Sequence, residues 1–259
     1  MKQKSDKGKQ KLPLVSIITV VRNGEKVLEK TINSVMNQTY PAIEYIIIDG
    51  ASTDGTIDII KKYPKNISRW ISQPDKSHFD AMNKGLKLAK GKYVWFMNAG
   101  DQIHSKKTLE KALAKENDSD IYYGDAILID PAGRELGSFR GKNAPNKLTW
   151  KAFRHGAVVC HQSFIVRVAL APKYDFEKYP ICADTEWMIC CLKKSKKIIN
   201  TKYVLCKYLR GGISAINEEK TWIENYRIFK RHYGFWQNLI IHSVLAINYV
   251  FYKLFQKRF

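Results

Sequence analysis

Residues 93–101 read YVWFMNAGD, and this stretch decides the class of fold. Its first six residues, apolar or aromatic up to a closing asparagine, are typical of a strand that is buried on both faces. Ala99 and Gly100 then turn the chain, and Asp101 offers a carboxylate where the strand ends. A strand covered on both faces indicates a sheet with helices on each side, and the acid at its end calls for a functional explanation.

A regular alternation of apolar runs and helical patterns precedes this strand. Residues 14–21, LVSIITVV, are apolar and β-branched, and residues 25–38 carry apolar side chains at a helical period. Such an alternation predicts an α/β fold whose mostly parallel sheet is flanked by helices. The remaining predicted elements are strands that end at Asp49 and near Asp75, a helix over residues 57–63, and a helix that Gly91 ends.

Three of the predicted strands deliver an acid at or just after their carboxyl ends, namely Asp49, Asp75 and Asp101. In open α/β sheets, ligands bind outside the carboxyl ends of the strands, so we expect these side chains on the ligand-binding edge. Several carboxylates on one edge repel each other unless a cation joins them, and hard divalent cations prefer carboxylate ligands. The pattern therefore predicts a metal-dependent site at this edge.

Two common nucleotide-binding signatures are absent from the sequence. No G-x-x-x-x-G-K-[ST] motif occurs, which argues against a P-loop protein. The turn after the first strand reads VRNGE and holds one glycine, Gly24, so a dinucleotide-binding G-x-G-x-x-G turn is excluded there.

The chain is strongly basic, with a formal net charge of +20 over 259 residues. Nucleic acid, an anionic membrane surface and phosphorylated substrates are the partners that such a charge favours. Residues 1–11, MKQKSDKGKQK, lack the apolar region of a secretory signal and predict a disordered basic tail on a cytoplasmic protein. The five cysteines form no paired C-x-x-C motifs, which predicts reduced, mostly buried thiols.

Two long segments resemble the family 2 glycosyltransferases. They are VSIITVVRNGEKVLEKTINSVMNQTYPAIEYIIIDGASTDGT (residues 15–56) and PDKSHFDAMNKGLKLAKGKYVWFMNAGD (residues 74–101). The resemblance is close over residues 14–130, looser as far as Ser214, and best for members that build O-antigen, capsule and other exopolysaccharides. It implies the GT-A nucleotide-diphospho-sugar-binding fold, with a donor half over residues 12–130 and an acceptor half over residues 131–216.

The resemblance assigns donor contacts to nine positions. Asp49 matches the acid that binds the uracil ring, and Asn98 stands where the family's D-x-D motif has its first carboxylate. Arg22 replaces a tyrosine common among relatives, and a guanidinium also stacks on a base. The complete set implied for the nucleotide-sugar is Val20, Arg22, Asn23, Asp49, Ser52, Asp54, Asp80, Asn83 and Asn98.

Asp101 matches the last acid of that D-x-D motif, and the resemblance implies that it holds Mg²⁺ or Mn²⁺. A divalent cation stabilises the charge that the diphosphate gains when the sugar–phosphate bond breaks. The alternative is a purely structural acid that caps the helix predicted in HSKKTLEKALAK, residues 104–115.

A catalytic base is expected in the second half, in YPICADTEWMICCLKK (residues 179–194). The resemblance implies that Asp184 takes the proton of an acceptor hydroxyl, which attacks the anomeric carbon with inversion. The alternative is a first-turn acid favoured by the helix dipole.

His161 and Gln162, in CHQSF, match a segment on the acceptor side, although a histidine in an apolar run also suits a core position. Glu186 is a further acceptor candidate, two residues beyond the base.

The C-terminal segment, residues 217–259, has no acid after Glu224 and is rich in aromatic and aliphatic residues. Its polar residues make it a poor transmembrane span, and its pattern suits a helix in a membrane interface. The alternative is a helix that packs on the domain or on a second copy, which leaves a homo-oligomer open.

The sequence therefore predicts a metal-dependent, inverting transferase. It moves a hexose-type sugar from a nucleotide-sugar, UDP-linked by the Asp49 match, to a lipid-linked or oligosaccharide acceptor in surface polysaccharide biosynthesis. The expected location is the cytoplasm, with peripheral binding at the inner face of the cell membrane, and no nucleic acid partner. The alternatives are a nucleotidyltransferase on a similar sheet and a non-enzymatic, basic nucleic-acid-binding protein.

Overall fold

The computed structural model describes residues 12–114, 118–211 and 217–256. The predicted basic tail, residues 1–11, lies outside this range, as does the predicted domain boundary at residue 216.

Nine strands and seven α-helices make up the described chain, with short 3₁₀ turns between them. The strands are β1 (Val15–Val21), β2 (Ile43–Asp49), β3 (Arg69–Ser72), β4 (Tyr93–Phe96), β5 (Gln102–Ile103), β6 (Ile121–Ile129), β7 (Glu135–Ser138), β8 (Phe164–Arg167) and β9 (Ile198–Leu209). The helices are α1 (Leu28–Met36), α2 (Thr56–Lys61), α3 (His78–Leu88), α4 (Thr108–Ala114), α5 (Ala183–Lys194), α6 (Glu218–Tyr233) and α7 (Phe235–Gln256).

All nine strands join one mixed sheet in the order β3-β2-β1-β4-β8-β6-β9-β5, with β7 added beside β6. The four strands β3, β2, β1 and β4 run parallel. β8 is antiparallel to both β4 and β6, and β9 runs parallel to β6. The predicted α/β class with a mostly parallel sheet is confirmed, and β8 is the reversed strand at its centre.

The hydrophobic core lies on both faces of the sheet because the central strands alternate their side chains between two layers. In β1, Ile18 and Val20 belong to one layer while Ile17 belongs to the other, and all seven residues are buried. In β4, Phe96 meets Trp187 of α5 edge-on. Trp95 points to the opposite layer, where its Nε1–H donates to the Gln162 carbonyl at 2.8 Å. The core thus anchors a turn near the sheet edge.

Two predicted strand ends differ from the structure by a few residues. The strand predicted to reach Asn98 ends at Phe96, although the Met97 and Ala99 amides still donate to carbonyls of β1 at 2.9 and 3.1 Å. Gly100 then adopts φ +99°, a conformation that favours glycine and turns the chain toward Asp101. The third strand ends at Ser72, so Asp75 lies three residues beyond it.

The C-terminal region is helical, as predicted. Helix α6 packs along α5, and Gly234, with φ +88°, redirects the chain into α7. One side of α7 faces α6 through the buried residues Asn238 and Ile241. Its other side exposes a row of apolar residues, with Trp236 at 75% and Ile240 at 66% exposure. None of the helices within residues 12–114, 118–211 and 217–256 is long and apolar enough to cross a bilayer.

The contact between α3 and β1 gives a direct test of the packing. A Cβ at Gly85 would lie 2.5 Å from Ile18 Cγ2, too close for a normal contact. Alanine is favoured over glycine inside a helix by about 1 kcal/mol, but overpacking of a core costs about 1–3 kcal/mol. We expect Gly85→Ala to lower the free energy of unfolding in urea titrations by up to about 2 kcal/mol, the difference between these two effects.

The exposed neighbour Lys87 supplies the control for this variant. Lys87→Ala should change the same free energy by less than about 0.5 kcal/mol, as surface substitutions usually do. A Gly85→Ala protein more stable than the native chain would contradict the observed packing of α3 on β1.

Candidate active site

A cavity of about 580 Å³ lies beyond the carboxyl ends of β1 and β4. Val20 is the last but one residue of β1 and Asn98 follows β4, so this edge of the sheet forms one wall. The turn at residues 161–163 and the first turn of α5 form the facing wall. Polar lining residues from these elements and from α3 and α6 are His78, Asn98, His161, Gln162, Asp184, Thr185, Glu218, Thr221 and Asn225.

Asp101 lies behind this lining and is 4% exposed. Its Oδ1 accepts a hydrogen bond from the Leu209 amide at 2.9 Å, and its Oδ2 accepts one from Gln162 Nε2 at 2.8 Å. Burial raises the pKa of Asp101 to about 6, although both hydrogen bonds act in the opposite direction. The carboxylate contacts no amide of α4, which begins at Thr108, so the alternative of a helix cap is wrong.

Two amide oxygens beside Asp101, Asn98 Oδ1 and Gln162 Oε1, are buried and have no hydrogen-bond partner among the residues that the structure describes. Buried polar atoms are normally paired, so each such oxygen needs an explanation. Carboxylate and amide oxygens are the ligand atoms that hard divalent cations take. The donor set around Asp101 therefore fits Mg²⁺ or Mn²⁺.

Asp184 sits in the first turn of α5 with its side chain 30% exposed to the cavity. Its Oδ2 lies 3.3 Å from Nδ1 of the buried His161, and His161 Nε2 lies 3.2 Å from Asn98 Nδ2. If Nε2 accepts from the Asn98 amide, then Nδ1–H donates to Asp184, and this assignment satisfies both contacts.

Burial alone would make both members of the His161–Asp184 pair neutral. Their mutual hydrogen bond and charge interaction outweigh burial, so the pKa of Asp184 lies below its usual value and that of His161 lies above it. Asp184 is therefore a carboxylate at neutral pH, oriented by a ring nitrogen and open to the cavity on one side.

The consecutive residues His161 and Gln162 connect Asp101 with Asp184. Gln162 donates to Asp101, His161 contacts Asp184, and the Gln162 carbonyl is held by Trp95 of β4. The sequence motif CHQSF had left His161 between a core position and a substrate contact, and the structure places it in the cavity wall.

Asp49 and Asp75 form a separate group, so the expectation that one metal joins all three acids is wrong. Asp49 is fully buried and accepts hydrogen bonds from the Ser52 amide at 3.0 Å and from Ser72 Oγ at 2.7 Å. Asp75 pairs with the Lys84 ammonium, and burial raises its pKa. Serine hydroxyls and a lysine, rather than a metal, satisfy these two acids.

The other donor-site candidates tie the loops of the sheet edge together. Asn23 lies in the left-handed region at φ +52°. Its Oδ1 accepts a hydrogen bond from the Thr53 amide at 2.9 Å, and its backbone N–H donates to Ser52 Oγ at 2.7 Å. Asp54 accepts the amides of Glu25 and Thr56 at 3.1 and 3.0 Å. These bonds hold the loops after β1 and β2 against each other.

Arg22, Asp80 and Asn83 lie nearby. The exposed Arg22 packs its stem near Gly50. On α3, Asp80 pairs with Lys84 at 3.3 Å. Asn83 exchanges two hydrogen bonds, of 2.9 and 2.8 Å, with the backbone of Tyr174. The donor-binding roles of these three residues stay predictions.

Glu186 points away from the cavity, so its expected place on the acceptor side is wrong. It is buried between α5 and α6, where Arg231 and His232 each approach its Oε1 at 3.5 Å. Among the residues that the structure describes, Glu186, Cys190 and His232 are the group with metal-ligand spacing. Lys193 contacts His232 Nδ1 at 2.9 Å and Arg231 contacts Glu186, so two cationic side chains already lie against this group, while His232 Nε2 has no hydrogen-bond partner among the described residues.

Sequence reasoning missed His78 and the contribution of α6 to the cavity wall. His78 begins α3, and burial lowers its pKa to about 4, so it is neutral at physiological pH. Glu218, Thr221 and Asn225 reach the cavity from a segment that had been separated from the catalytic part. No local pattern marks these residues, because their positions depend on how α6 docks.

Two relatives that are named as glycosyltransferases align with most of this chain. A PGL/p-HBAD biosynthesis glycosyltransferase from Mycobacterium bovis is 29% identical over 225 residues, which is 82% of this chain and 83% of the relative. An uncharacterized glycosyltransferase from Methanocaldococcus jannaschii is 27% identical over 261 residues, 96% of this chain and 87% of the relative.

Solved structures share the fold. S. aureus TarS 1–349 in complex with UDP-GlcNAc matches with a TM-score of 0.64 and 21% identity over 83% of this chain, which spans 65% of that TarS chain. The mannosyltransferase PcManGT from Pyrobaculum calidifontis, solved with GDP-Man and Mn²⁺, matches with a TM-score of 0.56 and 16% identity over 85% of this chain and 64% of its own. The fold is therefore that of the GT-A glycosyltransferases.

The family model described as "Glycosyl transferase family 2" matches residues 16–171, a span that holds β1 to β4, Asp101 and the turn with His161 and Gln162. The chain belongs to glycosyl transferase family 2 and is a glycosyltransferase.

Proposed function

We propose that this enzyme transfers a hexose-type sugar from a UDP-linked donor to a hydroxyl acceptor, with inversion and with a divalent cation, in surface polysaccharide biosynthesis. The observation that carries the proposal is the turn His161–Gln162, whose side chains join Asp101 to Asp184 across one cavity. Family membership supports glycosyl transfer over the two alternatives, nucleotidyl transfer and nucleic-acid binding.

The donor half, residues 12–130, is proposed to hold the nucleotide. Solved neighbours bind UDP-GlcNAc or GDP-Man, so the fold accommodates either nucleotide. A carboxylate accepts a hydrogen bond from the ring N–H of uracil, and Asp49 is the buried carboxylate at the end of β2. Its serine partners Ser52 and Ser72 fix the orientation of the carboxylate, which supports a role in reading the base.

Asp101 and Asn98 Oδ1 are the groups that would hold the cation, because they combine a carboxylate with an oxygen that finds no partner in the described part of the chain. When bound, Mg²⁺ or Mn²⁺ stabilises the negative charge that the departing nucleotide diphosphate gains. Gln162 holds Asp101 through Oδ2 and thereby sets the direction of its remaining lone pairs.

The acceptor half, residues 131–216, is proposed to supply the base. The acceptor oxygen forms a bond to the anomeric carbon on the face opposite the diphosphate, while the carbon–oxygen bond to the diphosphate breaks and its electron pair leaves with the nucleotide. The hydroxyl proton passes to Asp184, whose exposed side faces the cavity. His161 orients the carboxylate through the 3.3 Å contact to Oδ2 and keeps it charged before the reaction.

The exposed row on α7 is proposed to lie in the interface of a membrane, at its cytoplasmic face. Trp236, Ile240, Val244 and Ile247 recur every three or four residues, so they share one side of the helix. Exposed cations on the adjoining α6, such as Arg227 and Lys230, suit anionic headgroups. An acceptor carried by lipid would be concentrated at such a surface.

The metal proposal predicts that UDP binding depends on a divalent cation through Asp101. Asp101→Asn should weaken UDP binding in the presence of Mn²⁺ by about tenfold or more, since it removes the carboxylate charge. Isothermal titration measures this affinity, and the same loss should follow when EDTA is added to the native protein.

The exposed Asp58 on α2 supplies the control, because Asp58→Asn removes an acid without touching the cavity. Native protein that binds UDP equally well with EDTA and with Mn²⁺ would show that Asp101 does not act through a metal.

The base proposal predicts that Asp184→Asn separates binding from turnover. UDP affinity should stay within about twofold, whereas sugar transfer or donor hydrolysis should slow by about 10²-fold or more, since the attacking hydroxyl keeps its proton. A donor panel screened by thermal shift with Mn²⁺ first identifies the nucleotide-sugar to use. Near-native turnover of this variant, measured as UDP release, would assign the base elsewhere.

The membrane proposal predicts binding to vesicles through the exposed row of α7. Trp236, Ile240 and Val244 replaced together by serine should reduce co-sedimentation with vesicles of phosphatidylglycerol and phosphatidylcholine by about tenfold. Salt should weaken binding of the native protein, and pure phosphatidylcholine should bind less. Deleting α7 is a poorer test because Asn238 and Ile241 pack on α6.

Gln237→Ala, on the same helix, is the matched control. If the triple variant binds vesicles as well as the native protein, the row does not contact membrane. A native dimer that the triple variant converts to monomer would identify the row as a contact between two copies.

A further inference from the structure

Helix α5, which carries Asp184, satisfies only part of its N-terminus from its own sequence: Asp184 Oδ1 accepts the Thr185 amide. The first amides of a helix have no partner within the helix, and buried amides need one. Cys182 occupies the N-cap position and makes no side-chain capping hydrogen bond. The Cys182 amide at the N-cap and the Ile181 amide before it therefore need an acceptor from elsewhere in the chain.

That acceptor is Glu224, which lies on α6, 42 residues beyond Cys182. Its Oε2 accepts hydrogen bonds from the Ile181 amide at 2.9 Å and from the Cys182 amide at 2.8 Å. The side chain is buried, with the residue 5% exposed. A carboxylate at a helix N-terminus is stabilised by the helix dipole as well as by charge-assisted hydrogen bonds.

The contact fixes the part of the chain that presents Asp184 to the cavity. Ile181, Cys182, Asp184 and Thr185 all line the cavity, so the capped segment and the reactive carboxylate form one unit. Asp184 Oδ1 accepts a hydrogen bond within that unit, from the Thr185 amide at 2.7 Å. Displacement of a reacting group by about 1 Å can slow catalysis about 10²-fold.

Helix α6 is attached to α5 at more than one point, so it can hold the start of α5 in place. The Arg231 guanidinium contacts Glu186 of α5 at 3.5 Å, which gives a second attachment between the two helices. On the same helix, Thr221 and Asn225 line the same cavity as Asp184. Helix α6 is thus part of the active-site wall, while α7 carries the exposed apolar row.

We propose that Glu224 is a positioning residue for the transfer reaction: its buried carboxylate caps α5 from α6 and holds Asp184 at the cavity. The proposal rests on the function proposed above for Asp184. It assigns α6 to the catalytic machinery rather than to a separable appendage.

The test compares two replacements of similar length. Glu224→Met keeps the buried volume and removes the acceptor, whereas Glu224→Gln keeps a carbonyl acceptor and loses the charge. Hydrogen exchange of amides 181–185 should accelerate about tenfold or more in Glu224→Met and less than about threefold in Glu224→Gln. Exchange in β1 should stay unchanged in both variants, which shows that the domain is folded.

Turnover supplies the functional readout, measured as UDP release from the donor that the panel identifies. It should fall about tenfold or more in Glu224→Met and recover to within about threefold of native in Glu224→Gln, while UDP affinity with Mn²⁺ stays within about twofold. Glu219→Met, at an exposed position of α6, is the matched control and should leave all three measurements at native values.

Native exchange at residues 181–185 in Glu224→Met would overturn the capping role, and so would equal losses of turnover and UDP affinity. If Glu224→Met does not fold, the test rests on Glu224→Gln, which keeps the acceptor atom. Faster exchange of amides 181–185 together with a tenfold loss of turnover in Glu224→Gln would overturn the proposed role of that acceptor. Failure of the proposed function is distinguishable, because a fully active Asp184→Asn would refute the base while amide exchange still reports on the cap.

Discussion

The hydrogen bond from Gln162 Nε2 to Asp101 Oδ2 links the sheet edge to the turn that faces it. Asp101 is 4% exposed, and burying a carboxylate this deeply costs free energy of folding unless the group is hydrogen-bonded. Burial also raises the pKa of Asp101 to about 6. Gln162 and the Leu209 amide together keep Asp101 in place at the end of β4. Because His161 is the adjacent residue, the same turn also fixes Asp184 across the cavity.

The sheet makes this turn rigid. Trp95 is fully buried in β4 and donates to the Gln162 carbonyl, so the turn is tied to the strand that ends near Asp101. Helix α5 approaches from the other side, packed by Trp187 against Phe96 and capped by Glu224. Both acids are therefore positioned from the core outward, and the cavity between them is lined by the polar residues that remain.

The first half of the fold could be predicted from sequence because its information is local. Apolar runs predicted β1, β2 and β4. The acids at or after the ends of predicted strands indicated the ligand-binding edge, because the carboxyl ends of parallel strands lie at one edge of a sheet. The second half of the chain could not be predicted from sequence in the same detail. The contact of His161 with Asp184, and that of Glu224 with the start of α5, join residues 23 and 42 positions apart. No periodicity encodes such contacts, and the helical position of Glu186 alone did not reveal that α6 would cover it.

We propose that Asp101 and Asp184 serve one site, joined by a cation and a nucleotide diphosphate. Paramagnetic broadening of histidine ring signals by Mn²⁺, in the presence of UDP, locates the cation relative to both acids. We expect strong broadening at His161, little at His232 beside Glu186, and loss of the effect in Asp101→Asn. Broadening at His232 with His161 unaffected would instead place the metal between α5 and α6 and refute a shared site.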